Sequence, residues 1–328
     1  MAKYRHNLPQ LSDDLFLTDG GIETTLIFHE GLDLPHFAAF DLFRYSEGQK
    51  ALEKYFRTYA ALATDYQVGL VLESATWRAN SDWATKLGSS KEDLARVYHQ
   101  SIQLLQTIRN EYETEQSPMV ISGCIGPRGD GYNPDNFMTA DEAASYHQEQ
   151  IAAFRDADAD LVTAITMTYT EEALGITHAA QTVDMPIVIS FTVETNGHLP
   201  TGQSLKDAIA QVDTTTHNGP AYYMINCAHP THFANILATD EPWLERIRGL
   251  RANASTKSHA ELDEAEELDD GKPEELGNQY LELKHKLQNL NILGGCCGTD
   301  HRHIAAICQA CIPMWWSHLS SSVLLRSR

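Results

Sequence analysis

Short apolar runs alternate with longer amphipathic stretches along most of this chain. Several runs are apolar without a break, which is typical of parallel strands buried on both faces. Eight runs have the character of such strands: Leu15–Thr18, Gly69–Glu73, Met119–Ser122, Leu161–Ile165, Ile187–Phe191, Tyr222–Asn226, Ile247–Arg251 and Asn291–Leu293. The stretches between them predict helices, the clearest being Ser46–Ala63, Lys91–Tyr112, Ala140–Ala157 and Ser204–Val212. Eight alternations in 328 residues predict an α/β fold, a single-domain (β/α)8 or TIM barrel.

The alternation is interrupted between the seventh and eighth predicted strands. Seven of the ten residues from Glu261 to Asp270 are acidic. A block of like charges predicts a solvated insertion, here at about 254–277, and repulsion of anions from the barrel mouth is the functional alternative. We therefore expect a barrel over residues 1–312 that contains this insertion, followed by a C-terminal tail over 313–328.

The composition excludes some classes of function. A formal net charge of −21 argues against a nucleic-acid-binding protein, which would carry a basic face. No apolar run reaches the roughly 18 residues of a membrane helix, and the first residues lack the apolar stretch of a signal peptide. We expect a cytoplasmic protein with no membrane partner, and a homo-oligomer is compatible with the sequence. In that compartment its six cysteines are more typical of metal ligands or catalytic thiols than of disulfides.

Two cysteine motifs follow predicted strands. Cys296 and Cys297 stand among glycines in Leu293-Gly-Gly-Cys-Cys-Gly-Thr299, and Cys227 follows the sixth strand. The carboxyl ends of barrel strands open on one face, so we expect the three thiols to converge. Three thiolates suit Zn²⁺ and leave one of its four positions open. A substrate thiol is the natural fourth ligand, and the metal would deprotonate it.

Two other interpretations of the cysteines fit the sequence. The residues could be buried and bind no metal, although adjacent cysteines among glycines make an unusual pattern for that role. Alternatively, Cys308-x-x-Cys311 could close a structural zinc site with His301 or His303. This second match is poor, because no other Cys-x-x-Cys pair is present.

The motifs resemble the homocysteine S-methyltransferase family, which includes the betaine- and S-methylmethionine-dependent enzymes. The similarity runs from about Leu15 to Ile312. Four segments carry it: Leu17-Thr-Asp-Gly-Gly-Ile-Glu-Thr24, Ile121-Ser-Gly-Cys-Ile-Gly-Pro127, Ile225-Asn-Cys227 and Gly294-Gly-Cys-Cys-Gly-Thr299. The resemblance implies a TIM barrel and one Zn²⁺ bound by Cys227, Cys296 and Cys297. It also implies methyl transfer from a small molecule to the thiol of homocysteine, giving methionine.

The resemblance further implies where the acceptor binds. Asp19, Gly20 and Gly21 match the family's turn after the first strand, which helps bind the amino acid acceptor. Asp19 would accept hydrogen bonds from the α-ammonium group, and the glycine amides would face the carboxylate. The alternative is that the glycines serve only the geometry of the turn. The other candidate substrate-binding residues stand at strand ends or close to them: Glu23, Glu73, Thr76, Trp77 and Asn226.

One position departs from the family pattern. After the fourth strand the family usually carries a Glu that helps hold the substrate amino group, whereas this chain has Ile165 there. An aliphatic side chain cannot accept a hydrogen bond from an ammonium group. Glu23 or Glu73 could substitute for the missing carboxylate, or the acceptor could be a thiol other than homocysteine.

The methyl donor is expected to be a small cation, a sulfonium such as S-methylmethionine or a quaternary ammonium such as betaine. Trp77, Trp83 and Tyr169 are candidates for cation–π contacts with it, and barrel packing is the alternative for each. Two other functions fit the same sequence. One is the same zinc barrel acting on another thiol or a selenol, and the other is a non-catalytic barrel that binds zinc and a thiol.

Overall fold

A closed barrel of eight parallel strands forms the centre of the molecule. The computed structural model describes residues 1–132, 134, 137–237, 240–265 and 267–312, so the predicted tail over 313–328 lies outside the described residues. The strands are β1 (Phe16–Leu17), β2 (Gly69–Glu73), β3 (Met119–Ile125), β4 (Leu161–Met167), β5 (Ile187–Phe191), β6 (Tyr222–Asn226), β7 (Ile247–Ala252) and β8 (Ile292–Gly295). Each strand pairs with the next and β1 pairs with β8, which confirms the predicted (β/α)8 barrel.

Helices connect consecutive strands and cover the outside of the barrel. They are α1 (Ile22–Thr24), α2 (Ser46–Tyr66), α3 (Ser81–Lys86), α4 (Lys91–Tyr112), α5 (Ala140–Asp156), α6 (Thr170–Thr182), α7 (Leu205–Thr216), α8 (Pro230–Phe233), α9 (His259–Asp263), α10 (Pro273–Lys286) and α11 (His301–Cys311). At the start of α4, the Ser90 hydroxyl and the Asp93 carboxylate each accept a bond from the other's backbone amide. Within the described ranges, no helix is both long enough and apolar enough to cross a membrane.

The predicted boundaries are close to the observed ones. Three predicted strands, Gly69–Glu73, Ile187–Phe191 and Tyr222–Asn226, have the observed bounds. The largest differences are at β3, which continues to Ile125, at β4, which continues to Met167, and at β8, which continues to Gly295. Small and hydroxylated residues interrupt the apolar pattern at these strand ends, but all of them are buried in the barrel.

Side chains alternate along each strand between the inside and the outside of the barrel. Leu70 and Leu72 pack with the helices in the main core, whereas Val71 and Met224 belong to an inner cluster in the lower part of the barrel. Two residues after these, the same alternation points Glu73 and Asn226 into the upper barrel. The interior therefore changes from apolar to polar toward the carboxyl ends of the strands.

The acidic stretch Glu261–Asp270 lies between β7 and α10 and begins within the short helix α9. Leu262, Leu268 and Asp269 line the cavity at the barrel mouth. From Pro273 onward, the predicted insertion forms the beginning of α10. The stretch is therefore one wall of the cavity in addition to being acidic.

Candidate functional site

Three cysteines meet at the carboxyl ends of two strands. Cys227 follows β6, and Cys296 and Cys297 follow β8. The sulfur atoms of all three lie within 4.8 Å of one another, and Cys227 Sγ lies 3.9 Å from Cys297 Sγ. The predicted convergence of the three residues is confirmed. In the described part of the chain, no second group of three His, Cys, Asp or Glu side chains brings its donor atoms so close together.

The local backbone explains why these sulfurs converge. Cys227 has a left-handed backbone with φ of 53°, and its amide donates to the Arg251 carbonyl at 3.1 Å. The Cys296 amide donates to the Ala252 carbonyl at 2.9 Å, which fixes this loop against the end of β7. A Cβ atom on Gly294 would collide with the Thr18 hydroxyl. The glycines before the cysteines therefore let the loop approach the neighbouring strand.

The chemistry of the three sulfurs suits a soft metal ion. Zinc prefers sulfur and nitrogen donors, and three protein ligands are typical of a zinc ion that keeps one position for substrate. Cys227 and Cys296 form a disulfide in this structure, contrary to the expectation of free thiols. Because the metal binds thiolates, both residues must be reduced before it binds. Cys308 and Cys311 lie buried on α11 and belong to no such cluster among the described residues.

Groups from three other segments of the barrel mouth surround the cysteines. The Tyr132 hydroxyl lies 3.2 Å from Cys297 Sγ, and its ring stacks on His259 with 4.1 Å between the centroids. His259 Nε2 lies 2.6 Å from the Cys227 carbonyl oxygen. Thr166 Oγ1 lies 4.0 Å from Cys227 Sγ. Desolvation among these groups raises the pKa of the Cys297 thiol.

Asp19 forms an ion pair inside the barrel. Arg251 Nη2 lies 2.6 Å from Asp19 Oδ1, in a contact too poorly aligned to be a hydrogen bond, and Arg251 Nη1 donates to Glu73 Oε2 at 2.8 Å. The Tyr55 hydroxyl donates to Asp19 Oδ2 at 2.8 Å. The Gly21 amide donates to the Thr299 carbonyl at 3.0 Å. Both Asp19 and the Gly21 amide therefore have partners within the protein.

Two glutamates on the cavity wall, Glu73 and Glu23, have raised pKa values. Burial raises the pKa of Glu73 to about 7, since it outweighs the attraction of Arg251, and nearby Asp19 acts in the same direction. Burial also raises the pKa of Glu23 to about 7. At neutral pH these two carboxyl groups together carry less than two negative charges.

The cysteines lie in a cavity of about 340 Å³ at the barrel mouth. That volume is in the range of small-molecule sites, roughly 300–1,000 Å³. The cavity brings together most of the residues that the sequence analysis selected: Asp19, Gly20, Gly21, Glu23, Glu73, Trp77, Cys227, Cys296 and Cys297. Ile165 lines the same cavity, at the position where the resemblance predicts a Glu.

Thr76 and Asn226 support the cavity wall from behind. The Thr76 hydroxyl donates to the Cys124 carbonyl at 2.8 Å. The Asn226 side-chain amide donates to Thr166 Oγ1 at 2.8 Å, and its Oδ1 accepts from the Thr166 amide at 2.9 Å. Neither residue lines the cavity, but Asn226 Nδ2 lies 4.0 Å from Cys296 Sγ. Both side chains hold the strand ends together, and their contact with a substrate stays a prediction.

The candidate aromatic residues have partners within the protein. Arg78 Cζ lies 4.3 Å from the Trp77 ring centroid and 4.0 Å from that of Trp83. Lys86 Nζ lies 3.8 Å from the Trp83 centroid. Trp83 and Tyr169 do not line the cavity, and the contact with the donor predicted for them stays a prediction. Trp77 does line it, but Arg78 covers part of its ring.

A sequence profile of the family described as Homocysteine S-methyltransferase matches residues 16–311, nearly the whole described chain. The chain belongs to the homocysteine S-methyltransferase family. It is therefore a methyltransferase, and the family resemblance noted from its motifs is confirmed.

Solved structures of a homocysteine methyltransferase have the same fold. The metallated form of MmuM from Escherichia coli superposes with a TM-score of 0.73 at 19% identity, covering 93% of this chain and 98% of that one. The oxidized form of the same protein gives a TM-score of 0.72 at 19% identity, with 92% and 97% covered. At this level of identity the superposition establishes the fold, and the substrates are argued from this chain's own residues.

The sequence analysis missed several residues of the site. Arg251 is the last residue of the predicted strand Ile247–Arg251. The alternation of side chains along a strand is the signal that could have placed Arg251 inside the barrel. Tyr132 and His259 carry no comparable signal, because each lies in a long connection between a strand and the next long helix. Thr166 has a left-handed backbone with φ of 65°, which a sequence pattern does not reveal.

Proposed function

We propose that this methyltransferase is zinc-dependent and transfers a methyl group from a small cationic donor to the thiol of homocysteine, giving methionine. The donor would be of the S-methylmethionine or betaine type. The observation that carries the proposal is the convergence of Cys227, Cys296 and Cys297 on a cavity of substrate size. Zinc, when bound, would deprotonate the acceptor thiol and keep its sulfur electron-rich.

The residues around the cysteines have roles that do not depend on the donor. The Tyr132 hydroxyl is in position to donate to the Cys297 sulfur, and hydrogen bonds of this kind tune the groups that hold a metal. Leu262 and Leu268 of the acidic stretch form part of the cavity wall and limit the access of water. A site with little water favours a reaction in which positive charge on the donor disappears.

A second acceptor class is favoured by two observations. Asp19, the expected partner of the acceptor ammonium group, is already paired with Arg251. Ile165 replaces the other expected carboxylate. A thiol or selenol without an α-ammonium group would not need either partner. Membership of a methyltransferase family argues against the non-catalytic alternative, a barrel that only binds zinc and a thiol.

Some expectations from the sequence stay predictions. A cytoplasmic location and the absence of nucleic-acid partners still follow only from composition and charge. The division into a barrel over 1–312, an insertion at about 254–277 and a tail over 313–328 is likewise proposed on the sequence pattern.

The test combines metal analysis with calorimetry on protein purified under reducing conditions. We expect one zinc per chain, and saturable binding of L-homocysteine with release of a proton. Cys296→Ser should lose most of the zinc, whereas the control Cys311→Ser, on buried α11, should keep it. One zinc without homocysteine binding would support the second acceptor class. Equal zinc in wild type and Cys296→Ser would contradict the metal site.

A further inference from the structure

Arg78 is a buried cation on the cavity wall that the proposed reaction leaves unused. It stands in the loop after β2, and only 8% of its surface is exposed. It lines the same cavity as Cys227 and Cys297. A guanidinium group is always charged at neutral pH, so burying it requires compensation.

Two tryptophans hold the Arg78 side chain in place. Its Cζ atom lies 4.3 Å from the Trp77 ring centroid and 4.0 Å from the Trp83 ring centroid. Stacking on aromatic rings fixes the plane of the guanidinium and leaves its edge available for hydrogen bonds. The group is thus oriented before any ligand binds.

The described residues do not satisfy all the hydrogen-bond donors of Arg78. Its Nη1 donates to the Gly129 carbonyl at 3.1 Å, and its Nη2 lies 4.0 Å from Asp130 Oδ2, beyond hydrogen-bond distance. Its Nε is buried and has no hydrogen-bond partner among the described residues. Glu23 lines the same cavity, but its pKa of about 7 means that it supplies only part of a negative charge at neutral pH.

We propose that Arg78 binds a carboxylate group of a substrate in this cavity. A carboxylate matches the fork of a guanidinium and would satisfy donors that have no partner among the described residues. The same positive charge disfavours a purely cationic molecule against Trp77. The substrate class is therefore one in which a carboxylate accompanies the reacting group, as in an amino acid or a betaine.

The proposal rests on the proposed function only in placing the substrates in this cavity. The carboxylate could belong to the methyl donor or to the thiol acceptor, because both kinds of molecule commonly carry one. The alternative is a purely structural Arg78 that serves to pack Trp77 against Trp83. Such a residue would affect stability but would not distinguish a carboxylate from a neutral group.

Calorimetry with matched ligands separates these cases in the zinc-loaded protein. The two pairs are L-homocysteine with its carboxamide and S-methyl-L-methionine with its carboxamide. For at least one pair, wild type should bind the carboxylate roughly tenfold to hundredfold more tightly than the amide. In Arg78→Met that ratio should fall to about one, and Arg78→Lys should keep part of it.

The control variant is Lys86→Met, which removes a cation from the other tryptophan without touching the cavity. It should keep the wild-type ratio. A ratio lost only in the homocysteine pair assigns Arg78 to the acceptor, and one lost only in the S-methylmethionine pair assigns it to the donor. If Arg78→Met keeps the wild-type ratio in both pairs, the proposal is overturned.

A second measurement requires neither zinc nor turnover. Tryptophan fluorescence is recorded while propionate or propionamide is added, because Trp77 and Trp83 both contact Arg78. Wild type and Lys86→Met should show a saturable change with propionate only, and Arg78→Met should show none. The absence of a propionate-specific change in wild type would overturn the proposal. Missing zinc or missing methyl transfer would instead count against the proposed function and leave this result intact.

Discussion

Arg251 Nη2 lies 2.6 Å from Asp19 Oδ1, where the loop after β1 meets the end of β7. The family resemblance assigns Asp19 to the ammonium group of the acceptor, yet in this chain the carboxylate already has a cationic partner. Glu73 shares the same guanidinium, so two carboxylates compete for one cation. This arrangement bears on the stability of the barrel, on its pH dependence and on the choice of acceptor.

Removal of the Arg251 cation should destabilise the barrel strongly. Arg251→Met leaves Asp19 and Glu73 buried without their partner, and breaking a buried ion pair in this way costs about 3–5 kcal/mol. Urea denaturation of the variant measures the loss. Arg248→Met is the matched control, since Arg248 stands on the same strand but is only partly buried. A loss below about 1 kcal/mol for Arg251→Met would show that the pair contributes little.

The shifted pKa of Glu73 predicts a pH-dependent stability. Its pKa is about 7 in the folded protein and about 4.5 in the unfolded chain, so between these values only the folded state keeps the proton. The free energy of unfolding should therefore fall as pH rises from about 5 to about 7, by about 1.4 kcal/mol per unit at most.

Urea denaturation of wild type and Glu73→Gln isolates this effect when it is recorded from pH 5 to pH 8 in steps of about one pH unit. As pH rises, the free energy of unfolding of Glu73→Gln should increase relative to that of wild type. For Glu171→Gln, at an exposed position on α6, the free energy of unfolding should change with pH as it does in wild type. A constant difference between Glu73→Gln and wild type would contradict the raised pKa.

Replacement of Ile165 tests the acceptor directly. Ile165→Glu places a carboxylate on the cavity wall, at the position where the family usually carries one. If homocysteine occupies this cavity, its affinity should increase about tenfold, since a hydrogen bond to a charged group contributes about 1.5–3 kcal/mol. Ile165→Gln supplies the same shape without the charge and should gain much less. Equal affinities of the two variants would argue for an acceptor without an ammonium group near residue 165.

The contact between Tyr132 and Cys297 predicts an effect on metal retention. Tyr132→Phe removes a hydroxyl that lies 3.2 Å from Cys297 Sγ, and the loss of such a partner typically weakens metal binding about 10- to 100-fold. Competition with a chelator of known affinity measures this change. The control is Tyr169→Phe, since Tyr169 is buried outside the cavity. Unchanged zinc affinity in Tyr132→Phe would mean that the hydroxyl does not act on the bound sulfur.

The sequence was most informative where physical periodicity is strong. Mostly apolar runs located β2, β5 and β6 with their observed bounds, because strands buried on both faces are rich in apolar residues. The glycines beside Cys296 and Cys297 and the position of Cys227 at a strand end were sufficient to predict that the sulfurs converge.

The partners of the site residues were harder to predict. Asp19 and Arg251 are far apart in the sequence, and their ion pair exists only because β1 and β7 flank β8. Trp77 and Trp83 were considered for a bound cation, but the chain itself supplies one in Arg78. A pattern of residue types indicates which groups are present, whereas tertiary packing decides which of them already have partners.

X-ray absorption at the zinc edge tests the central claim most directly. The measurement is made on reduced, zinc-loaded protein before and after addition of L-homocysteine, with 3-mercaptopropionate as a thiol that lacks an ammonium group. The account predicts that zinc is bound by the sulfurs of Cys227, Cys296 and Cys297 and one lighter atom, and that a thiol replaces the lighter atom to give four sulfurs. A zinc ion whose ligands are unchanged by either thiol would contradict it.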